Sequence, residues 1–385
     1  MIKDIFNFIK IVISWLLSKF IKEYDDCWLI CERGSDARDN GYFFFEYLTK
    51  KSSNINAIYV IDKNSPDYEK VSMLGKCIQF NSINHGVAYF KSKYLVSTHQ
   101  LFCKPNWRGF TLFEEKIGKA RGKKIFLQHG ITKDYMNSLL FENLKADLFI
   151  CGAKPEYNFV INKLGYNHMN AKYTGFARFD RLFNNQVVNH NKTILLMPTW
   201  RNYLNSLNDD DFVKTSYYLH YTSLLKNKDL NKYLSDNDIK LIFYPHYEIQ
   251  KRIYLFNELF TNNIIVADFA NYDVQNLLIS CDMLITDYSS VFFDVAFMQK
   301  KVIYYHFDYD EYRKNHYAEG YFNYEQGFGP IAKDEKNLVT IINETFDKPL
   351  EKKYLNRINN FFEFRDNHNS DRIYYEIVNN LGDDD

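Results

Sequence analysis

The stretch IFLQHGIT, residues 125–132, sets an imidazole and a glycine where an apolar run stops. A free imidazole titrates near pH 6.5, so His129 can take a proton from a hydroxyl at neutral pH. Gly130 would let the backbone turn sharply and let a substrate approach. The bland alternative is a histidine in an ordinary turn. Other apolar runs end in polar residues too. LLMPTWR ends at Arg201, whose fork of donors suits a phosphate and is otherwise an exposed loop cation. LIFYPH ends at His246, where Pro245 stiffens the turn. That ring can meet a phosphate oxygen or a leaving group, or merely cap the turn. In LITDYSSVFFDVAF, Asp287 closes a buried run and Ser289 and Ser290 open an apolar helix. The first amides of such a helix can hold an anion, and Asp294 falls where the helix dipole favours negative charge. Three phosphate-holding groups at strand ends of one domain point together to a diphosphate-bearing donor.

The elements that must position these residues form a βα alternation. CWLICE, INAIYVID, CIQFN, YLVST, KKIFLQ and ADLFICG read as strands, with helices over NGYFFFEYLTKK, HGVAYFKSK and YMNSLLFENL. Short apolar runs separated by helical periods predict βαβ units and a parallel sheet. The polar stretch FNNQVVNHNK, residues 183–192, reads as a linker. A second series follows: strands TILLMPTW, IKLIFYPH, NIIVAD, DMLITD and KVIYYHFD, with helices over EIQKRIYLFNELF, DVQNLLISC and SSVFFDVAFMQ. The expected organisation is an amphipathic helix at 1–22, open α/β domains at 23–185 and 193–350, and terminal helices with an acidic tail at 351–385. Ligands of open α/β sheets bind beyond the carboxyl ends of the strands, which is where the residues above fall. The loop ERGSDARDN offers Arg33, Arg38 and Asp39 to an acceptor, or is a hydrogen-bonded loop that starts the first helix.

Composition narrows the function. Lys plus Arg equals Asp plus Glu, 48 against 48, which argues against a nucleic-acid partner. No phosphate-binding G-x-x-x-x-G-K-[ST] loop or G-x-G-x-x-G turn is present, against a P-loop NTPase or a Rossmann dehydrogenase. No convincing D-x-D follows a strand to hold a metal on a nucleotide diphosphate, and the six scattered cysteines read as reduced core thiols. The apolar segment IFNFIKIVISWLLSKFIKEY is punctuated by lysines. Its uninterrupted stretch is too short to span a bilayer. It fits a helix in the membrane interface on the cytoplasmic side, or one packed on the first domain.

FLQHGIT, LLMPTWR, LIFYPH and above all DVQNLLISCDMLITDYSSVFFDVAFMQKKVIYYHFD resemble the CDP-glycerol glycerophosphotransferase family, with WLICERGSDARDNGYFFFEYL similar to the opening of many members. The resemblance implies a GT-B-type fold of two Rossmann-like domains facing across a cleft, in a peripheral enzyme at the inner leaflet of a bacterial cell membrane. It implies transfer of glycerol phosphate or ribitol phosphate from a CDP-polyol to a hydroxyl of a glycan or lipid-linked acceptor, with CMP released and no cofactor or metal. His129 matches the proposed base. Arg201, His246, Ser289 and Ser290 match positions around the donor pyrophosphate, with Thr286 in the same motif and Asp287 ordering the turn. YAEGYFNYEQGFGPI suggests a capsule-type branch, and the long amino-terminal extension of the large polymerases is missing. Two other readings stay open: a GT-B glycosyltransferase using a nucleotide sugar, and a non-catalytic scaffold in capsule assembly.

Overall fold

In a computed structural model the chain divides into two compact units. The structure describes residues 2–52, 54–184, 192–315 and 318–382. The first unit takes the described residues of 1–131, 137–181 and 366–385, and the second those of 132–136 and 182–365. Most of the expected linker, residues 185–191, lies outside the described residues, as does the end of the acidic tail.

The first unit is built on a parallel sheet of strands β1 (Trp28–Cys31), β2 (Ala57–Ile61), β3 (Lys76–Gln79), β4 (Tyr94–Ser97), β5 (Lys123–Phe126), β6 (Leu148–Cys151) and β7 (Ala171–Tyr173), in the order β3-β2-β1-β4-β5-β6-β7. The second is built on β8 (Thr193–Met197), β9 (Lys240–Phe243), β10 (Ile264–Val266), β11 (Met283–Thr286), β12 (Lys301–Tyr305) and β13 (Ile331–Ala332), also parallel, in the order β10-β9-β8-β11-β12-β13. Central strands such as WLIC, AIYVI and TILLM are buried at every position, because crossover helices cover both faces and each residue must be apolar or paired. In both sheets the strand order reverses direction beside the first strand, at β1/β4 and at β8/β11. The crevice at such a switch point lies beyond the strands' carboxyl ends.

Much of the aromatic content sits in the two cores. Phe44, Phe45, Tyr59, Tyr89, Phe110 and Phe149 are fully buried in the first unit, and Tyr217, Tyr221, Tyr288, Tyr304 and Tyr305 in the second. All six cysteines are free thiols, five of them buried.

Two expected helices break. The stretch 135–144 holds a 3-10 turn (Asn137–Leu139) and a short helix (Phe141–Leu144), because residues 132–136 are drawn into the second unit. There the Tyr135 amide donates to the Ala318 carbonyl (3.1 Å), and the Tyr321 amide donates to that of Lys133 (3.2 Å). The stretch 248–260 splits into a helix at Tyr247–Gln250 and a 3-10 segment at Ile253–Leu259. Between them Arg252 turns inward to the Leu204 carbonyl (3.3 Å) and Asp209 (3.1 Å).

The chain's ends are not freestanding. Helix Ile2–Leu17 lies in the first unit, with Ile11 and Ser14 fully buried and the Ser14 hydroxyl donating to the Ile83 carbonyl (3.1 Å). Its other side exposes Ile5, Phe6, Phe8, Ile9, Ile13, Leu16 and Leu17. No helix among the described residues is long and apolar enough to cross a membrane. The terminal helices divide between the units: Lys352–Phe361 stays in the second, whereas Asn369–Leu381 returns to the first. Asp180 receives that last helix, accepting from the Asn369 amide (2.8 Å) and the Ser370 amide (2.9 Å).

Candidate active site

In the first unit, β5 ends at Phe126 and the chain turns at Gln128, which adopts a left-handed conformation (φ 58°). The sharp turn therefore falls on Gln128, not on Gly130 as the sequence suggested. A glutamine tolerates it because its buried side-chain amide donates to the Ile150 carbonyl (2.7 Å) and the Glu156 carboxylate (3.0 Å). His129 follows with its side chain 57% exposed, and its Nδ1 lies 3.3 Å from Asp39 Oδ2. The His99 ring, from the end of β4, lies 5.8 Å from the His129 ring and nearly parallel to it. Burial pushes the His99 pKa down to about 3, helped by His129 and Arg33, so its ring is neutral.

Of the acceptor-side residues, Arg33 is exposed and reaches Asp36 (3.2 Å). Arg38 does not serve as expected: its side chain is nearly buried and its Nε donates to Asp67 Oδ2 (2.8 Å), a bond that anchors the loop. Asp39 caps helix Asn40–Lys51. Burial opposes its ionisation, but the Arg178 guanidinium and the His129 ring outweigh that and hold its pKa below the usual carboxylate value.

In the second unit the donor-side residues gather at the ends of β8, β9 and β11, and here two expectations are corrected. Arg201 is among the most deeply buried side chains of the molecule. Its Nε and Nη2 donate to the two oxygens of Asp308 (2.9 and 3.0 Å), Nη2 pairs with Asp287 Oδ2 (2.9 Å), and Nη1 donates to the Thr199 carbonyl (2.6 Å). It ties the ends of β8, β11 and β12 together and leaves nothing exposed for a phosphate. Thr286 is likewise buried, its hydroxyl donating to the Met197 carbonyl (2.6 Å) across the β8/β11 pair. Asp287 orders the turn. One oxygen accepts from the amides of Thr199 (2.8 Å) and Tyr288 (2.6 Å), the other from the Tyr221 hydroxyl (3.0 Å) as well as Arg201. Burial opposes its ionisation, but Arg201 and these donors keep its pKa below the ordinary value.

The remaining donor-side residues face outward. Ser289 and Ser290 are half-buried at the start of helix Val291–Phe297, and neither makes a proper cap: Ser290 forms no side-chain cap bond, and Ser289 Oγ sits at 3.5 Å from the Val291 amide. His246 caps Tyr247–Gln250, with Nδ1 accepting from the Glu248 amide (3.2 Å) and its ring stacked on Trp200. An Nδ1 that accepts an N–H holds the neutral ring's proton on Nε2, which makes Nε2 a donor suited to a phosphate oxygen. Among the described residues no cluster of His, Cys, Asp or Glu is arranged to hold a metal ion.

A sequence profile described as CDP-glycerol:poly(glycerophosphate) glycerophosphotransferase matches residues 11–379. The chain belongs to this family. The minor teichoic acid biosynthesis protein GgaB of Bacillus subtilis is 31% identical over 368 residues, 91% of this chain and 39% of that protein. The teichoic acid glycerol-phosphate transferase of Staphylococcus aureus is 24% identical over 336 residues, 81% of each. The chain spans less than half the length of GgaB and of the Staphylococcus epidermidis poly(glycerol phosphate) polymerase, 39% and 46%. A solved structure of the wall teichoic acid polymerase TagF superposes with a TM-score of 0.68 at 20% identity, covering 97% of this chain and 94% of that one. A UDP-GlcNAc 2-epimerase of Methanocaldococcus jannaschii has a TM-score of 0.55 at 11% identity over 92% and 99% of the two chains. Both likenesses establish the GT-B-like fold of this glycerophosphotransferase family member.

Sequence reasoning missed three participants in this second-unit site. His306, at the end of β12, is buried with Nε2 at 3.1 Å from the Asp287 carbonyl, to which it donates; burial pushes its pKa down to about 4. Asp308, two residues on, is the main partner of Arg201. Both follow an apolar run, so the strand-end rule that singles out His129 and His246 reaches them too. Lys133 is different. It is buried in the second unit and ion-paired with Asp134, and burial pulls its pKa below the usual lysine value. Arg313 Nη1 holds the other oxygen of Asp134 (2.6 Å). No local pattern marks that pairing, because its partners lie about 180 residues apart.

Proposed function

We propose that this chain transfers glycerol phosphate or ribitol phosphate from a CDP-polyol to a hydroxyl of a glycan or lipid-linked acceptor, releasing CMP, in synthesis of a teichoic-acid-like or capsule polymer. The observation that carries the reading is His129, an exposed imidazole at a strand end whose Nδ1 faces a carboxylate. In this reading the acceptor oxygen attacks the phosphorus that bears the polyol while His129 takes its proton. The bond from that phosphorus to the bridging oxygen breaks, and the electron pair leaves with CMP. Charge developing on the phosphate oxygens is met by the Nε2–H of His246 and the hydroxyls of Ser289 and Ser290. Preorganised donors of this kind are worth about 3–4 kcal/mol each, roughly 100-fold in rate or more. Arg201 and Asp287 act by holding the turn. The steps require no cofactor, and activity is expected to survive dialysis against EDTA.

The family match over residues 11–379 and relatives named as glycerol-phosphate and ribitol-phosphate transferases and polymerases support the donor class. The test is a donor screen of the purified chain with CDP-glycerol, CDP-ribitol and UDP- or GDP-sugars and a lipid-linked acceptor mimic. CMP release from a CDP-polyol, lost in His129→Ala, is the expected result. Release of a nucleoside diphosphate from a sugar donor would identify a glycosyltransferase, and failure to bind any donor a scaffold.

The reading includes peripheral binding to the cytoplasmic face of the cell membrane. Helix Ile2–Leu17 spends one side on the first unit and still exposes an apolar row ending near Phe20, with Lys10 and Lys19 held over Trp107 and Trp15. A helix of this kind suits an anionic bilayer surface. Co-sedimentation with vesicles containing phosphatidylglycerol, abolished by Phe6→Glu with Ile9→Glu, is the expected outcome; equal binding by the double variant refutes it.

A further inference from the structure

The surroundings of His129 are more elaborate than a base on a loop needs. Helix Asn40–Lys51 starts beside the end of β5, and its first residues grip that strand end. Asn40 Nδ2 donates to the carbonyls of Leu127 (3.3 Å) and Gln128 (2.8 Å), and its Oδ1 accepts from the Arg178 amide (3.2 Å). Glu32, buried behind the helix start, accepts from the amides of Arg38 (2.9 Å), Asp39 (3.0 Å) and Tyr42 (2.8 Å). Asp39 is thereby fixed at the N-cap with its two oxygens turned to different partners. Oδ1 accepts from Arg178 Nη1 (2.8 Å) and the Asn40 amide (2.7 Å), and Oδ2 faces His129 Nδ1 (3.3 Å). Arg178 Nη1 also donates to the His129 carbonyl (3.2 Å), so one guanidinium holds both the carboxylate and the backbone of the histidine. Exposure rises along this line, from 4% at the Arg178 side chain through 20% at Asp39 to 57% at His129.

We propose that Asp39 is a positioning residue for the reaction: it accepts the Nδ1–H of His129 and so fixes the tautomer and plane of a ring whose Nε2 lone pair is turned to the acceptor hydroxyl. The inference rests on His129 being the base. A neutral imidazole carries its proton on either nitrogen, and only the Nδ1–H form leaves Nε2 able to accept. A carboxylate on Nδ1 selects that form, and it stabilises the imidazolium that exists once the acceptor proton has moved to Nε2. Arg178 keeps Asp39 ionised and still, which a carboxylate on a free loop would not be. His99 restrains the ring from its other side. As a neutral group beside His129, it adds no positive charge to oppose proton uptake. The charged groups around the ring are then Asp39, Arg178 and Arg33, the last through its place beside His99.

The test uses the full chain labelled with 15N-histidine. Asp39→Asn keeps the size and the capping ability of the residue, and Asp39→Ser keeps a cap but cannot span to Nδ1. In the wild type, His129 should show a protonated Nδ1 and a bare Nε2. Both variants should lose that preference, and kcat should fall at least about 30-fold with the KM for the CDP-polyol within about threefold. Combining Asp39→Asn with His129→Ala should be no slower than His129→Ala alone, as for groups that act as a unit. Either variant keeping the wild-type tautomer, or kcat within threefold of wild type, overturns the positioning role while leaving His129 as the base. An active His129→Ala enzyme removes the base itself, and the positioning role with it, whatever Asp39→Asn does.

Discussion

Replacing Arg201 with alanine leaves two aspartates, Asp287 and Asp308, buried without their shared cation. Both carboxylates are at most 3% exposed at the side chain, so water cannot take the guanidinium's place. Breaking a buried pair by removing one partner costs about 3–5 kcal/mol. For a domain of this size each kcal/mol lowers the melting temperature by about 2–4 °C, so Arg201→Ala should melt about 6–20 °C below wild type. Arg201→Lys should fall between, since an ammonium cannot reach both aspartates and the Thr199 carbonyl at once. Well below the melting temperature, the KM for the CDP-polyol should stay within about threefold, because no part of the guanidinium is exposed to a ligand. Thermal unfolding followed by circular dichroism, with donor kinetics at 15 °C on the same preparations, measures both. A variant that melts within 2 °C of wild type but raises the donor KM tenfold would show that Arg201 meets the diphosphate, and the reasoning from burial would be wrong.

Other outcomes follow from the same structure. His246→Ala should lower kcat about 100-fold or more with an unchanged melting curve, whereas His246→Gln, which keeps an N–H donor, should recover part of it; equal rates for the two variants would refute donation from Nε2. Acid should destabilise the protein well above the carboxylate range. His85 is fully buried, its Nδ1 accepting from the Asn81 amide (3.1 Å) and its Nε2 donating to the Cys103 carbonyl (2.7 Å), and burial pushes its pKa down to about 4, as for His306. The unfolded chain therefore binds protons that the folded one refuses: the stability is complete above about pH 6.5 and is lost as pH falls toward 4, by about 3 kcal/mol per histidine. Urea midpoints that do not move between pH 7 and 4.5 would contradict this. Gly175→Ala should loosen the terminal helix, because Gly175 is left-handed (φ 79°) and a methyl there overlaps the Asn369 side chain that docks Asn369–Leu381. Faster amide exchange confined to residues 369–381 and their neighbours is the expected signature, and wild-type protection would refute it.

The sequence alone determined the class of fold and where its chemistry lies. Runs such as WLIC, TILLM and MLIT are buried at every position and almost wholly apolar because a parallel sheet is covered on both faces, so most strands and their ends are visible in a short window, the short β7 and β13 excepted. That made His129, His246, Ser289 and Ser290 legible as strand-end residues, and the order of the motifs was enough to suggest the family. Only the tertiary structure decided which polar strand-end residues face outward. Arg201 and Thr286 look as available as His246 in the chain, yet they are turned into the core, since their partners, Asp308 and the Met197 carbonyl, come from strands distant in sequence. The same holds for the turn at Gln128, stabilised by Ile150 and Glu156, and for Asp39, which a local reading sets on the acceptor side and the fold sets against His129. Local pattern reports what a residue can do at its own position. Whether a polar group is spent internally depends on partners about 20 to 180 residues away, and that is settled only when the sheets assemble.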